Sequence, residues 1–158
     1  MHRAFIALGA NLEDPATQVR AALADLAATG GITLVRASSL YRTAPIGISG
    51  QPDFINAVAE VRTELGPDAL LQQLFAVESH FGRVRSYRNA PRTLDLDLLL
   101  HDDIVLDTPD LILPHPRLHL RAFVLQPLAE IAPDLRLPRR GSIAAWLPAV
   151  ANQRIEKL

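Results

Sequence analysis

The chain contains no cysteine, which excludes disulfides, thiolate metal sites and a cysteine nucleophile. No apolar run approaches the roughly 20 residues that a membrane-spanning helix needs. The start, Met-His-Arg-Ala-Phe-Ile-Ala-Leu-Gly, lacks the apolar length and small-residue cleavage site of a signal peptide, so the expected address is cytoplasmic. Charge of neither sign dominates. Sixteen Lys and Arg against seventeen Asp and Glu leave a formal net charge of −1, with no bulk attraction to nucleic acid or anionic membrane. Three standard motifs are absent as well: the G-x-x-x-x-G-K-[ST] phosphate loop, the protein-kinase signatures and the G-x-S-x-G elbow. Any ATP chemistry must therefore use another scaffold.

What is present fits one domain over residues 1–158, enough chain to bury roughly two-thirds of its unfolded surface. Residues 3–9 read as a first strand. Asp14-Pro15 opens a helix, with Asp14 as N-cap, Val19, Ala22, Leu23 and Leu26 at helical spacing, and Gly30-Gly31 closing it. Residues 32–42 read as a second strand, followed by a Gly/Pro-rich loop over 43–53. Residues 54–65 alternate, with Ile55, Ala57, Ala59 and Val61 on one face. Gly66-Pro67-Asp68 then starts a second helix with Leu70, Leu71, Leu74, Val77 and Phe81 as its stripe. Residues 93–100 form a fourth strand, and Ile104–Leu106 is expected to add a short hairpin partner. A helix around Gln126–Ile131 and a short one near Ser142–Leu147 follow. The order β-α-β-β-α-β predicts an α+β, ferredoxin-like sandwich with an extended C-terminal third.

The chemistry concentrates in Arg83 to Leu100, where an arginine-rich loop runs into a leucine-rich strand carrying two carboxylates. Leu94, Leu96 and Leu98 point one way, Asp95 and Asp97 the other, the two carboxylates about 7 Å apart. A single Asp here would read as the solvated face of an edge strand. Two of them beside apolar surface resist ionising unless positive charge is supplied, and Mg²⁺ supplies it as a hard cation held by one or two carboxylates plus phosphate oxygens. Arg83, Arg85, Arg88 and Arg92 can meet the remaining phosphate oxygens. Arg92, pinned by Pro91 three residues before Asp95, is the strongest candidate among them. Arg83 also suits a helix C-terminus, and a charge run alone reads as a solvated loop.

Phe54 and Asn56 share the other face of the third strand, where a ring and an amide suit a flat heterocycle; alone, the pair reads equally as packing plus solvation. His115 lies between Pro114 and Pro116. These prolines argue against a helical two-histidine metal site with His119, and leave a lone phosphate donor as the alternative. Glu78, by itself, reads as a surface residue beside the second helix's stripe.

The segment Arg88-Asn-Ala-Pro-Arg-Thr-Leu-Asp-Leu-Asp-Leu-Leu99 resembles the signature of the 6-hydroxymethyl-7,8-dihydropterin pyrophosphokinases of folate synthesis. Ala7–Leu12, Leu40–Gly47, Gln51–Ala57, Gly82–Arg85, Leu113–Arg117 and Arg121–Phe123 are similar to further ordered blocks of that family. The resemblance implies transfer of pyrophosphate from ATP to the pterin hydroxymethyl group, releasing AMP. It implies two Mg²⁺ ions on Asp95 and Asp97, and phosphate contacts from Arg83, Arg92, His115 and Arg121. Phe54 and Phe123 would sandwich the pterin, with Asn56 and the segment of Thr43, Pro45 and Ile46 reading its edge. Glu78, Leu98, Leu111 and Ile112 would line the nucleotide site. The implied partners are the two small molecules, with no nucleic acid and no membrane, and the chain acting as a monomer. Asn89, Ala44, Phe75 and Pro116 depart from residues common in the family. Two other classes share some features: a Mg²⁺-dependent phosphohydrolase, and a non-catalytic RNA-binding ferredoxin-like module.

Overall fold

The computed structural model describes residues 1–12, 14–44, 52–81 and 94–158 of the chain. Strand β1 (His2–Ala10) buries Ala4, Ile6, Leu8 and Ala10 in one core and turns Phe5 and Ala7 to the opposite face, as a two-residue period requires. Helix α1 (Pro15–Ala27) starts on its proline and buries Val19, Ala22 and Leu26. Asp14 holds the expected cap position, but its backbone is left-handed (φ 60°), without the extended conformation that aims a capping oxygen at the first amides. Its carboxylate accepts from the Thr17 hydroxyl instead, at 2.9 Å.

The single strand expected over 32–42 is two strands, β2 (Ile32–Ala37) and β3 (Tyr41–Thr43), both antiparallel to β4 (Phe54–Thr63). Ser38 stands at the break. Its amide donates to the Val58 carbonyl, and its hydroxyl accepts from the Val58 amide, each at 2.9 Å. A side-chain oxygen thus completes the ladder where the backbone leaves it. Helix α2 (Pro67–His80) follows Gly66 and buries Leu70, Leu71, Leu74 and Val77 as expected, whereas Phe81, expected in the same stripe, lies just past the helix end and packs partly buried on that core.

Strand β5 (Asp95–His101) pairs antiparallel with β1. The register shifts between Phe5 and Ile6, where Leu98 pairs with Ile6 and Leu100 with Phe5. Leu99 is the extra residue, and this bulge lets Leu99 and Leu100 enter the same core. A turn forms at Asp102-Asp103, but the segment after it, expected as a hairpin partner, does not pair with β5. Ile104 and Leu106 pack against the first core instead. β6 (Leu106–Asp107) then pairs with β7 (Ile112–Leu113) in a separate ribbon.

Helix α3 (Ala122–Ile131) begins four residues before the expected Gln126. A proline at 127 suits a helix start, but Ala122, Val124 and Leu125 are buried and extend the helix ahead of it. Beyond the hairpin of β8 (Arg136–Leu137) and β9 (Gly141–Ser142), the helix expected at 142–147 is a pair of 3-10 turns, Ile143–Ala145 and Leu147–Val150. The chain ends on β10 (Ile155–Lys157), which pairs with β3. Its three residues, two of them charged, give too short an apolar pattern to announce a strand.

The result is a mixed α and β fold whose main antiparallel sheet runs β10-β3-β4-β1-β5, with β2 also on β4. One core fills the face beneath α1 and α2; a second lies between the opposite face and α3. Glu130 ties α3 to the sheet, accepting from the Ser39 amide (2.9 Å) and hydroxyl (2.7 Å) and from the Tyr41 hydroxyl (2.8 Å). Ser38→Ala leaves the buried Val58 amide without its acceptor, which should cost about 1–3 kcal/mol. Urea unfolding will show this as a lowered midpoint; an unchanged midpoint would contradict the role given to Ser38.

Candidate active site

The second core covers only part of its face. Phe5, Val58, Leu99 and Leu100 lie under α3, whereas the far ends of the same strands carry Asn56 on β4, Gly9 on β1 and Asp95 on β5. Gly9 pairs with Asn56 on one side and Asp95 on the other, and Ala7 in the same way joins Val58 to Asp97. Asn56 and Asp95 are therefore separated by one strand, about 10 Å between backbones. A methyl group on Gly9 would stand 3.0 Å from the Asn56 Oδ1, so glycine is what lets that side chain lie across β1. Asn56 is buried and donates to the Thr43 hydroxyl at 2.8 Å, leaving its carbonyl oxygen turned toward Gly9.

Asp95 and Asp97 are half-buried and line a cleft of about 320 Å³ with Leu98, Leu111, Ile112 and His115. Sequence reasoning named all six of these. Leu71 and Leu96, expected only as core residues, also line it, and Thr108, Pro109 and Asp110 were passed over because nothing local announces that the β6–β7 ribbon folds back onto β5. Phe75 and Pro116, which depart from residues common in the family, line it too.

Glu78 is not the surface residue its position suggests. It is 2% exposed, and its Oε2 accepts from the Leu96 amide at 3.0 Å. That bond reaches from α2 to the residue between the two aspartates, so α2 helps to fix both.

His115 donates its backbone amide to the Leu99 carbonyl at the bulge (2.9 Å), which fastens the proline-flanked segment to β5. Its Nδ1 accepts from the Arg117 amide at 3.2 Å, so in the neutral ring the proton sits on Nε2. Burial, reinforced by the nearby Arg121 guanidinium, pushes the His115 pKa down to about 4, against the opposing pull of Asp95. At neutral pH it is an uncharged donor. His119 makes no pair with it and packs edge-on against Trp146, ring centroids 4.7 Å apart.

Arg121 precedes α3. Burial lowers its pKa, with Asp97 and Asp95 opposing the shift, so it stays charged facing both carboxylates. Its guanidinium also lies 5.3 Å from the centre of the Phe123 ring. Phe123 is half-buried on the first turn of α3, and Phe54, half-buried, opens β4 opposite Thr43. Thr43, Phe54, Asn56 and Phe123 do not line the cleft; the sheet and Arg121 connect them to it. Arg83, Arg85, Arg88 and Arg92, together with Pro45, Ile46 and Asn89, lie outside the described residues.

Residues 5–133 match the model of the 7,8-dihydro-6-hydroxymethylpterin-pyrophosphokinase (HPPK) family. The chain belongs to that family. Its relatives include the 2-amino-4-hydroxy-6-hydroxymethyldihydropteridine pyrophosphokinase of Pseudomonas aeruginosa, 46% identical over 158 residues, covering 100% of this chain and 98% of that protein. The Haemophilus influenzae protein of the same name is 43% identical, covering 100% of this chain and 99% of its own. Among solved structures, Plasmodium falciparum HPPK-DHPS with pteroate shares the fold, with a TM-score of 0.74 at 14% identity, over 94% of this chain and 42% of that one.

The tautomer and pKa of His115 are directly measurable. NMR should find its ring neutral from pH 8 to 5.5, with the proton on Nε2 and a transition near 4. Because the unfolded ring titrates near 6.5, the unfolded chain takes up the proton first, and stability from this group declines as pH falls from about 6.5 toward 4. A midpoint near 6.5 in the folded chain would contradict the burial described.

Proposed function

We propose that this chain transfers the β,γ-pyrophosphoryl unit of ATP to the hydroxymethyl oxygen of 6-hydroxymethyl-7,8-dihydropterin, releasing AMP, in folate biosynthesis. The observation that carries this reading is the pairing of Gly9 with both Asn56 and Asp95, which sets a heterocycle-reading amide and a carboxylate pair on one open sheet face. The family supplies the identity of the two substrates. Neither the phosphohydrolase nor the RNA-binding alternative has an observation in its favour.

The donors at the cleft are oxygens of Asp95 and Asp97, flanked by cationic Arg121, and this set suits hard divalent ions that also bind phosphate. We assign two Mg²⁺ ions to these two aspartates. Bound there, they would neutralise the triphosphate and polarise the bond that breaks. The chain's own residues then hold and orient. His115 donates from Nε2 to a phosphate oxygen without adding charge, and Arg121 adds a charged donor. Leu98, Leu111 and Ile112 line the nucleotide's side of the cleft, and Glu78 acts through the Leu96 amide by holding β5 in place.

On the other side, Phe54 and Phe123 sandwich the pterin while Asn56, oriented by Thr43, reads its edge. Pro45 and Ile46 would complete that edge, and Arg83 and Arg92 would meet the transferred group. Phosphoryl chemistry of this kind asks mainly for in-line positioning and charge neutralisation. We further read the strand order as the ferredoxin-like split β-α-β arrangement, forming one domain over 1–158 that acts as a monomer in the cytoplasm.

The test is a product assay with ATP, Mg²⁺ and the hydroxymethyldihydropterin, resolving AMP from ADP. Pterin-dependent AMP is expected. Asp97→Ala should lower its formation at least about 100-fold while the circular dichroism spectrum is unchanged. ADP, pterin-independent phosphate, or undiminished turnover in the variant would each overturn the reading.

A further inference from the structure

At the opposite end of β1 and β5 from Asp95, a second set of metal-ligating side chains converges. His2, His101 and Asp102 offer one ligand atom each, all within 4.8 Å of one another, and no other described residues bring three such groups together. His101 lies four residues beyond Asp97 on β5, about 13 Å along the strand.

His101 is fully buried, and its Nε2 meets the Leu65 carbonyl at 2.9 Å. A carbonyl only accepts, so the ring's proton is on Nε2 and its Nδ1 presents a lone pair. That buried Nδ1 has no hydrogen-bond partner. A buried acceptor left without a partner is unfavourable unless something electrophilic meets it. The carbonyl behind Nε2 is the outer-shell partner that metal-binding histidines characteristically have, fixing tautomer and ring orientation.

The other two groups are arranged in the same sense. Asp102 has a left-handed backbone (φ 49°) at the turn after β5, and its Oδ1 accepts from the Arg3 amide at 2.8 Å. Its other oxygen, Oδ2, meets His2 Nδ1 at 2.6 Å. The His2 and His101 rings lie 4.7 Å apart, centroid to centroid. The nearest cationic side chain on β1, Arg3, pairs with Glu60 at 3.1 Å and lies over the Phe5 ring, on the other face of the sheet. The His2 and Asp102 side chains are 42% and 41% exposed, so an ion can reach the cluster from solvent.

We propose that His2, His101 through Nδ1, and Asp102 form a second metal site, separate from the Mg²⁺ aspartates and selective for a borderline transition ion such as Zn²⁺ or Co²⁺. Two imidazoles and one carboxylate suit those ions and disfavour Mg²⁺. A tetrahedral ion with bonds of about 2.1 Å wants its ligands about 3.4 Å apart, so no pair need close by more than about 1.4 Å. Side-chain rotation of His2 and Asp102, both partly exposed, can supply that closure. The ion replaces the proton shared by His2 and Asp102, and it ties the start of β1 to the end of β5.

The test uses the untagged full chain, titrated with Co²⁺ in excess Mg²⁺ and followed by visible absorption and equilibrium dialysis. One Co²⁺ per chain with a tetrahedral band is expected. His2→Gln, which keeps a donor to Asp102, should weaken binding by at least the roughly 10–100-fold that loss of an outer-shell partner causes. Asp97→Ala should leave binding unchanged, which separates this site from the aspartate pair. Absence of saturable binding, binding that survives His2→Gln, or binding lost with Asp97→Ala would each overturn the proposal.

Discussion

The site depends on the hydrogen-bonded register of three strands. β1 lies between β4 and β5, and its glycine at position 9 faces Asn56 on one side and Asp95 on the other. A slip of one residue in either pairing would turn the carboxylates or the amide into the core. The register is held from both faces. Leu94, Leu96 and Leu98 pack against the α1–α2 side, and Leu99 and Leu100 anchor the same strand on the α3 side through the bulge. Glu78 reaches the Leu96 amide, and the His115 amide reaches the Leu99 carbonyl. The two aspartates are thus carried by a strand fixed immediately beside them at the backbone.

Electrostatics follow from that scaffold. Two carboxylates and one neutral imidazole line a half-enclosed cleft beside the half-buried Arg121 guanidinium, where interactions between charges are stronger than in water. The neutral His115 matters here. A second cation beside Arg121 would weaken the aspartates' hold on metal ions, whereas an uncharged N–H donor serves phosphate without that effect. Arg121 links the two halves of the site, since the same guanidinium faces the carboxylates and lies near the Phe123 ring.

Much of this was legible in the chain. Strict alternation in 94–98 separated leucines from aspartates, and Pro67, Gly66 and the stripe of α2 defined that helix, because these features depend on neighbours in sequence. The break at Ser38, the separate β6–β7 ribbon, the early start of α3 and the late strand β10 depend on partners far along the chain. Glu78 misled for the same reason. A glutamate at the border of an apolar stripe looks exposed until the amide it serves, eighteen residues away, is in place. Gly9 carried a signal that was passed over, since a glycine inside a strand often marks close approach of another group.

The measurement that tests the central claim most directly is the number of Mn²⁺ ions bound per chain, with and without a nonhydrolysable ATP analogue, in the native chain and in Asp97→Ala. If the β5 carboxylates hold the metal–triphosphate, the analogue will raise binding by two ions in the native chain and by fewer in the variant. An equal rise in both would place the metals elsewhere and contradict the reading of β5.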